Sequence, residues 1–139
     1  MKRETLYKKP LKQVYKMAQR YFNHYIRIRD QQKRGHCITC PGKVEEAGHF
    51  NHGGNKGMTP WVDFNEENMN GQCTHCNHFL SGNLGIYAEK LEEEYPHGII
   101  QKLNALSYKE NPLYMMDFLI DIIETSKENT KKLLTIHNS

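Results

Sequence analysis

Four cysteines fall in two pairs, Cys37-Ile-Thr-Cys40 and Cys73-Thr-His-Cys76, with 32 residues between the pairs. Two residues between thiolates allow each pair to occupy two corners of a tetrahedron, so two such pairs predict a four-cysteine zinc site. Two disulfides are the alternative, and they require an oxidising compartment that nothing in the sequence indicates. Because four thiolates fill the coordination sphere, this zinc is expected to be structural, and any catalysis depends on other residues.

A second set of residues, between and after the cysteine pairs, has side chains that could catalyse hydrolysis. His49 lies on the first predicted strand, Asn68 precedes Cys73 by five residues, and Asn77 directly follows Cys76. If zinc draws the pairs together, the hairpin between them folds back and brings His49, Asn68 and Asn77 into one neighbourhood. There His49 can act as general base for attack of water on a phosphodiester, with Asn68 orienting it and the Asn77 carbonyl oxygen binding Mg²⁺. A single histidine on a strand is more often a hydrogen-bonded structural residue, which is the alternative.

The first 36 residues are strongly basic. They carry eleven Lys and Arg against two acidic residues, whereas the rest of the chain carries eight basic and fourteen acidic side chains. Apolar residues recur with helical spacing over residues 11–26, which predicts an amphipathic helix with a basic outer face. A polyanion such as nucleic acid is the natural partner, and a solvated basic face without a partner is the alternative. The candidate phosphate-binding residues are Lys12, Lys16, Arg20, Arg27, Arg29 and, on a glycine-rich loop, Lys56.

The elements that must position these residues are predicted from periodicity and turn signals. Residues 44–50 and 61–64 are expected to form a two-stranded hairpin with a long loop at its tip. A short helical piece after Cys76 to about residue 80 is followed by a break at 81–83 and a helix over 84–95, which Pro96 ends. Asn111-Pro112 predicts the start of a long helix that runs to near the C-terminus.

The length favours a single domain with appendages, and the predicted helices and strands give it an α+β fold class. The chain has 139 residues, 37% hydrophobic and 25% charged, and no apolar run approaches the roughly 20 residues of a spanning helix. The start of the chain lacks a hydrophobic signal core, so we expect an intracellular protein that does not enter the membrane. We divide it into a basic helical arm (1–36), a zinc-stabilised core (37–95) and a C-terminal helical region (96–139). The apolar face of that last region is either a dimer interface or a cover for the same core.

These motifs together resemble the ββα-metal, or HNH, nucleases, and above all the NinG/Rap family of phage recombination endonucleases. The resemblance spans about residues 20–90 and is far more specific than a lone Cys-x-x-Cys. The segments that carry it are Phe22-Asn23, Tyr25-Ile26-Arg27-Ile28-Arg29-Asp30, Cys37-x-x-Cys40, Ala47-Gly48-His49-Phe50, Phe64-Asn65-Glu66-x-Asn68, Gly71-Gln72-Cys73-x-x-Cys76-Asn77, and Ser81-Gly82-Asn83 with Tyr87.

The resemblance implies a treble-clef-like ββα-metal core and a structure-selective DNA endonuclease. Such an enzyme would cut branched recombination intermediates, Holliday junctions and D-loops, with Mg²⁺ or Mn²⁺, in the cytoplasm of a bacterial host of a phage or prophage. It also implies that His49 is the general base, Asn68 its positioning partner and Asn77 a ligand of the catalytic metal. Because a four-way junction has two-fold symmetry, a homodimer is the economical design for cutting it twice.

One departure from the HNH pattern concerns the catalytic metal. Many HNH enzymes have a metal-binding Asp immediately before the base, where this chain has Gly48. Glu46 is the candidate replacement, with Glu45 second to it. Further candidate members of the site are Asn83 and His52, and His75 is expected to be exposed without a function.

The missing Asp keeps a second interpretation open. It is that of a zinc-containing DNA-binding module without catalytic activity. A zinc-ribbon domain for protein interaction is a third interpretation, which the basic N-terminal segment argues against.

Overall fold

A computed structural model of the chain describes residues 1–53 and 57–138 and has a mixed α+β architecture. Its elements are α1 (Arg3–Tyr7), α2 (Leu11–Lys33), β1 (Glu46–His49), α3 (Pro60–Asp63), β2 (Met69–Gln72), a π-helical turn (His75–Phe79), α4 (Leu84–Glu94), α5 (Ile99–Ser107) and α6 (Met115–Asn138). Over the described residues, no helix is long and apolar enough to cross a membrane.

Helix α2 confirms the predicted amphipathic helix but extends beyond its predicted end at residue 26. The apolar periodicity stops there because the next buried position is occupied by Asp30, a carboxylate with no exposed surface. Its charge is balanced by Arg29, 2.7 Å away, and by Arg34, so the helix can continue with a charged residue facing inward. Gly35, with φ of +78°, follows its end.

The two strands pair antiparallel, with Glu46 opposite Gln72 and His49 opposite Met69. The first predicted strand is confirmed in shortened form. The second, at residues 61–64, is wrong, because Pro60 occupies the first turn of helix α3 and the pairing strand is β2. All four residues of β2 are buried although three of them are not apolar, so the alternation of a surface strand is missing.

The C-terminal helices agree with the prediction in part. Helix α4 confirms the predicted helix over 84–95 to within one residue, and the short helical piece after the second cysteine pair is a π-helical turn. Helices α1 and α5 were not predicted, and both are too short for periodicity to reveal. The predicted helix start at Asn111-Pro112 is wrong, since α6 begins at Met115.

The buried apolar side chains of the described residues form two separate cores besides the cysteine cluster. Those of α1, α2 and α6 pack with Phe64 and Met69, while those of α4 and α5 pack with Ile38. Leu119, Ile120 and Ile123 of α6 are buried against this first core. Of the two interpretations of that apolar face, the structure therefore shows the one in which it covers the chain's own core.

Candidate active site

The four cysteines of the two pairs come together in one cluster. Their Sγ atoms all lie within 4.8 Å of one another, and none of the four is in a disulfide. Backbone N–H groups of Thr39, Gly42 and Cys76 donate hydrogen bonds to Sγ atoms of the cluster, at 3.2–3.4 Å. Such donors stabilise thiolates, so the cluster fits a structural zinc ion with four sulfur ligands.

Asn83 belongs to this cysteine cluster. It adopts the left-handed conformation just before α4, with φ of 51°, and its Nδ2 donates to Cys76 Sγ at 3.8 Å. The membership of Asn83 in the His49 site stays a prediction. Glu45 also serves the second cysteine pair, because its carboxylate accepts a hydrogen bond from the backbone N–H of Thr74 at 3.0 Å.

His49, the last residue of β1, pairs with a carboxylate that sequence reasoning missed. Its Nε2 lies 3.1 Å from Oδ1 of Asp63, at the end of α3. The other oxygen of Asp63 accepts hydrogen bonds from the hydroxyl groups of Tyr15 and, at 3.3 Å, Thr59. The Asp63 side chain is 9% exposed and that of His49 is 21% exposed, so the carboxylate is fixed while the ring reaches the surface.

This pairing fixes the tautomer of His49. A carboxylate can only accept, so Nε2 must carry the proton, and in the neutral ring the lone pair is then on Nδ1. Burial and the bond to Asp63 raise the pKa of Tyr15, which therefore stays a donor to that carboxylate. The His52 ring lies 5.1 Å from the His49 ring, and desolvation together with repulsion from His49 lowers the pKa of His52 below its ordinary 6.5.

Asn68 is close to this pair but does not contact His49. Its side chain is fully buried, donates to the backbone carbonyls of Asn51 and Val62 at 2.9 Å, and accepts from the backbone N–H of Asn51 at 2.7 Å. The expectation that the Asn68 amide orients the ring directly is corrected, because Asp63 holds that position. Asn68 instead joins the segment after His49 to the helix that ends at Asp63.

Glu46, Asn77 and His78 meet on the opposite face of β1. Asn77 Nδ2 donates to Glu46 Oε1 at 2.6 Å, and His78 Nε2 lies 2.7 Å from the same oxygen. Because alternate residues of a strand share a face, Glu46 and Gly48 point the same way. The Asn77 Oδ1 lies 3.0 Å from the position that a Cβ at Gly48 would take. Carboxylate and amide oxygens are the ligands of hard divalent cations, so this group fits Mg²⁺ or Mn²⁺.

A cleft of about 550 Å³ runs between the Glu46 and Asn77 side chains and helix α2. Its lining residues are Arg20, Tyr21, Asn23, His24, Arg27, Glu46, Ala47, Asn77 and His78. Arg27 Nη2 lies 2.7 Å from His24 Nδ1, and burial together with this guanidinium lowers the pKa of His24. Arg20 and Arg27 thus line the same groove as Glu46 and Asn77, and guanidinium groups of this kind are suited to hold a phosphate.

The remaining basic residues have different surroundings. Lys12 and Lys16 are exposed on α2, as is Arg20 at the cleft. Lys56 lies outside the described residues.

Arg29 corrects the expectation of a free phosphate ligand. Its side chain is 14% exposed, paired with Asp30, and it donates to the backbone carbonyls of Glu66 and Met69 at 3.0 and 2.9 Å. It holds β2 on α2.

His75 is exposed as expected, and its ring stacks on Phe79 at 5.8 Å.

Two residues of the site had no sequence signal of their own. Asp63 was placed on a strand, and only the Pro60 helix start could have indicated that its side chain turns inward. His78 follows Asn77 on the π-helical turn, and nothing in its spacing distinguishes it from the exposed His75.

Comparison with known proteins gives a family match over nearly the whole chain. The family model described as "NinG: Bacteriophage Lambda NinG protein" matches residues 1–135. Protein ninG of Escherichia phage lambda is 36% identical over 86 residues, which cover 60% of this chain and 40% of that protein. Protein ninG of Salmonella phage P22 is 35% identical over 88 residues, which cover 61% of this chain and 41% of that protein. The matches thus span about 40% of the length of these relatives, and no solved structure matches the chain.

Proposed function

The chain belongs to the NinG family, and on that premise we propose that it is a DNA endonuclease of the ββα-metal (HNH) type that cuts branched recombination intermediates. Its substrates are Holliday junctions and D-loops, and its reaction is hydrolysis of a phosphodiester with Mg²⁺ or Mn²⁺. We place its activity in the cytoplasm of a bacterial host that carries a phage or prophage. The observation that carries the proposal is the pairing of His49 with the fixed carboxylate of Asp63.

His49 is the general base in this proposal. The Nε2 proton is held by Asp63, so the Nδ1 lone pair is available to take a proton from water as the water attacks phosphorus. Asn68 and Asp63 are positioning residues, because Asn68 ties the backbone near His49 to that of α3 and Asp63 contacts the ring.

The catalytic metal site of this proposal lies on the face of β1 opposite to His49. Asn77 and Glu46 would hold the divalent ion, with His78 orienting the Glu46 carboxylate. A divalent ion bound there would polarise the phosphate and stabilise the leaving oxygen. The four-cysteine zinc has no open position, so its contribution is to hold β1 and the π-helical turn in place.

The cleft provides the contact to the DNA backbone. Arg20 and Arg27 line it, and Lys12 and Lys16 extend the same basic helix, so phosphates of one strand can be held along α2. Contacts of this kind fix position without reading bases, which suits selection by the shape of a branch.

A homodimer would cut a four-way junction symmetrically. Its interface must lie elsewhere than the buried face of α6, where Leu119, Ile120 and Ile123 are already covered.

The test is cleavage by zinc-loaded protein of a labelled four-way junction beside a linear duplex of matched sequence, with Mg²⁺ present. We expect cutting of the junction and little of the duplex. Binding to the junction without cutting, in Mg²⁺ and in Mn²⁺, would refute the endonuclease and favour the DNA-binding module that the missing Asp at Gly48 suggests.

A further inference from the structure

Gln72 carries a buried oxygen for which the described residues provide no hydrogen-bond partner. The residue is fully buried in β2, opposite Glu46. Its Nε2 donates to the carbonyl oxygen of Gly82 at 2.9 Å and to Thr39 Oγ1 at 3.0 Å. Because a carbonyl oxygen only accepts, this contact fixes which end of the amide is nitrogen. The Oε1 atom therefore faces the other way, where it is buried and unsatisfied.

The unsatisfied oxygen points into the space beside Gly48. A Cβ at residue 48 would lie 1.9 Å from Gln72 Oε1 and 3.0 Å from Asn77 Oδ1, so only glycine leaves room for these two oxygens. The Asn77 amide is also oriented by an acceptor, because its Nδ2 is used by the Glu46 carboxylate. Two amide oxygens thus approach one small space, which we call the Gly48 gap.

Oxygens that converge in this way need a cation or a hydrogen-bond donor between them. Buried polar atoms without a partner are rare in proteins, and an unseen ion or water is the ordinary reason for one. The two oxygens nearest to the Gly48 gap belong to amides, and one of these amides, that of Asn77, is hydrogen-bonded to the Glu46 carboxylate. Amide and carboxylate oxygens are the ligands of Mg²⁺ and Mn²⁺, which also retain waters that a phosphate oxygen can replace.

We propose that Gln72 is a ligand of the divalent cation, with its Oε1 entering through the Gly48 gap to join Asn77 Oδ1 and Glu46. The inference rests on the proposed function for the role of that cation, but not for the existence of the site. In this arrangement the glycine before His49 does not remove a metal ligand. Gly48 instead makes room for a ligand from the opposite strand. Gln72 pairs with Glu46 and is the diagonal neighbour of Gly48 on the same face of the strand pair.

The test measures binding of Mn²⁺ to zinc-loaded protein in the absence of DNA. The concentration of free Mn²⁺ is determined from its electron paramagnetic resonance signal. Gln72→Met keeps the length of the side chain and removes the oxygen. We expect it to weaken Mn²⁺ binding at least about tenfold, with zinc content and circular dichroism unchanged. Gln31→Met is the matched control. The Gln31 side chain lies on α2 and donates to the backbone carbonyl of Val44, away from the Gly48 gap, so its loss should leave Mn²⁺ binding as in wild type.

Gly48→Ala is the second variant, in case Gln72→Met loses zinc through its neighbour Cys73. The added methyl group would displace Gln72 Oε1, so Mn²⁺ binding should weaken by a comparable factor.

Two outcomes would overturn the inference. Wild-type affinity in both Gln72→Met and Gly48→Ala would show that the gap holds only water, and so would failure of the wild-type protein to bind Mn²⁺. Failure of this inference is distinguishable from failure of the proposed function. Junction cutting with Gln72-independent Mn²⁺ binding would refute the ligand alone, whereas Gln72-dependent binding without cutting would refute the nuclease alone.

Discussion

Asp63→Asn tests the proposed role of His49 as a general base without removing the His49 side chain. The hydroxyl groups of Tyr15 and Thr59 both donate to Oδ2, whereas His49 Nε2 faces Oδ1. In the variant the amide oxygen must stay with the two hydroxyl donors, so the amide nitrogen faces the ring. A donor then meets Nε2, which has to give up its proton and accept instead. The proton moves to Nδ1, and the lone pair that would take a proton from water is lost.

Asp63→Asn should reduce both the cleavage rate and the stability of the protein. A general base contributes typically about 10²–10⁴ to the rate, so cleavage should fall by roughly that factor. The three hydrogen bonds to residue 63 persist but change from charge-assisted to neutral, and since the two kinds differ by about 1 kcal/mol, the free energy of unfolding should decrease by about 1–3 kcal/mol. Affinity for the junction should not change, since Asp63 does not line the cleft.

The assay is single-turnover cleavage of a labelled four-way junction at saturating protein, with unfolding measured in urea. Tyr15→Phe is the matched control, because it removes a donor to the same carboxylate and leaves the His49 contact in place. It also leaves the buried backbone N–H of Thr59 without its acceptor, so it should lose about 1–3 kcal/mol of stability and keep cleavage near the wild-type rate. Wild-type cleavage by Asp63→Asn would refute the tautomer argument, and an equal loss in Tyr15→Phe would show that the effect is structural.

Three further predictions concern metal, core and pH. Cys37→Ser should release zinc and unfold the protein, measured with a chromophoric chelator and circular dichroism, and a folded zinc-free variant would contradict the cluster. Asp30→Ala removes the fully buried carboxylate that pairs with Arg29 and Arg34, although Arg29 keeps its contact with Glu66 and Arg34 its contact with Glu94. Urea denaturation should show a loss of about 3–5 kcal/mol, whereas a loss below about 1 kcal/mol would show the pairing to be dispensable. Because the pKa of folded His52 lies below 6.5, the unfolded chain binds more protons under acid conditions; the contribution of His52 to stability is complete above about pH 6.5 and falls below it. His52→Gln should therefore lose less stability than wild type between about pH 7.5 and about pH 5.5, and an equal loss would exclude His52 as the source.

The parts of the fold that spacing could predict are those that local chemistry determines. The cysteine pairs and the helical period of α2 are signals within a few residues, and the structure has both. Strand β2 could not be found in this way, because its polar residues are satisfied by distant partners. The backbone N–H of Gly71, for example, donates to the buried Asp30 of α2 at 2.7 Å.

The candidate site was predicted in part for the same reason. Asn77 directly follows the second cysteine pair and His49 lies on the first predicted strand, so the sequence could indicate both as members of a site. Asp63 and Gln72 could not, since the role of each depends on which atom the fold places against it. The apolar appearance of residues 61–64 even predicted a strand, which would have turned Asp63 away from His49.

The most direct test of the central claim compares His49→Ala with the wild-type protein on one labelled four-way junction, measuring binding and cleavage together in Mg²⁺ with zinc retained. We predict unchanged affinity and a cleavage rate reduced by about 10²–10⁴. Cleavage at the wild-type rate by His49→Ala would contradict the assignment of His49 as the general base.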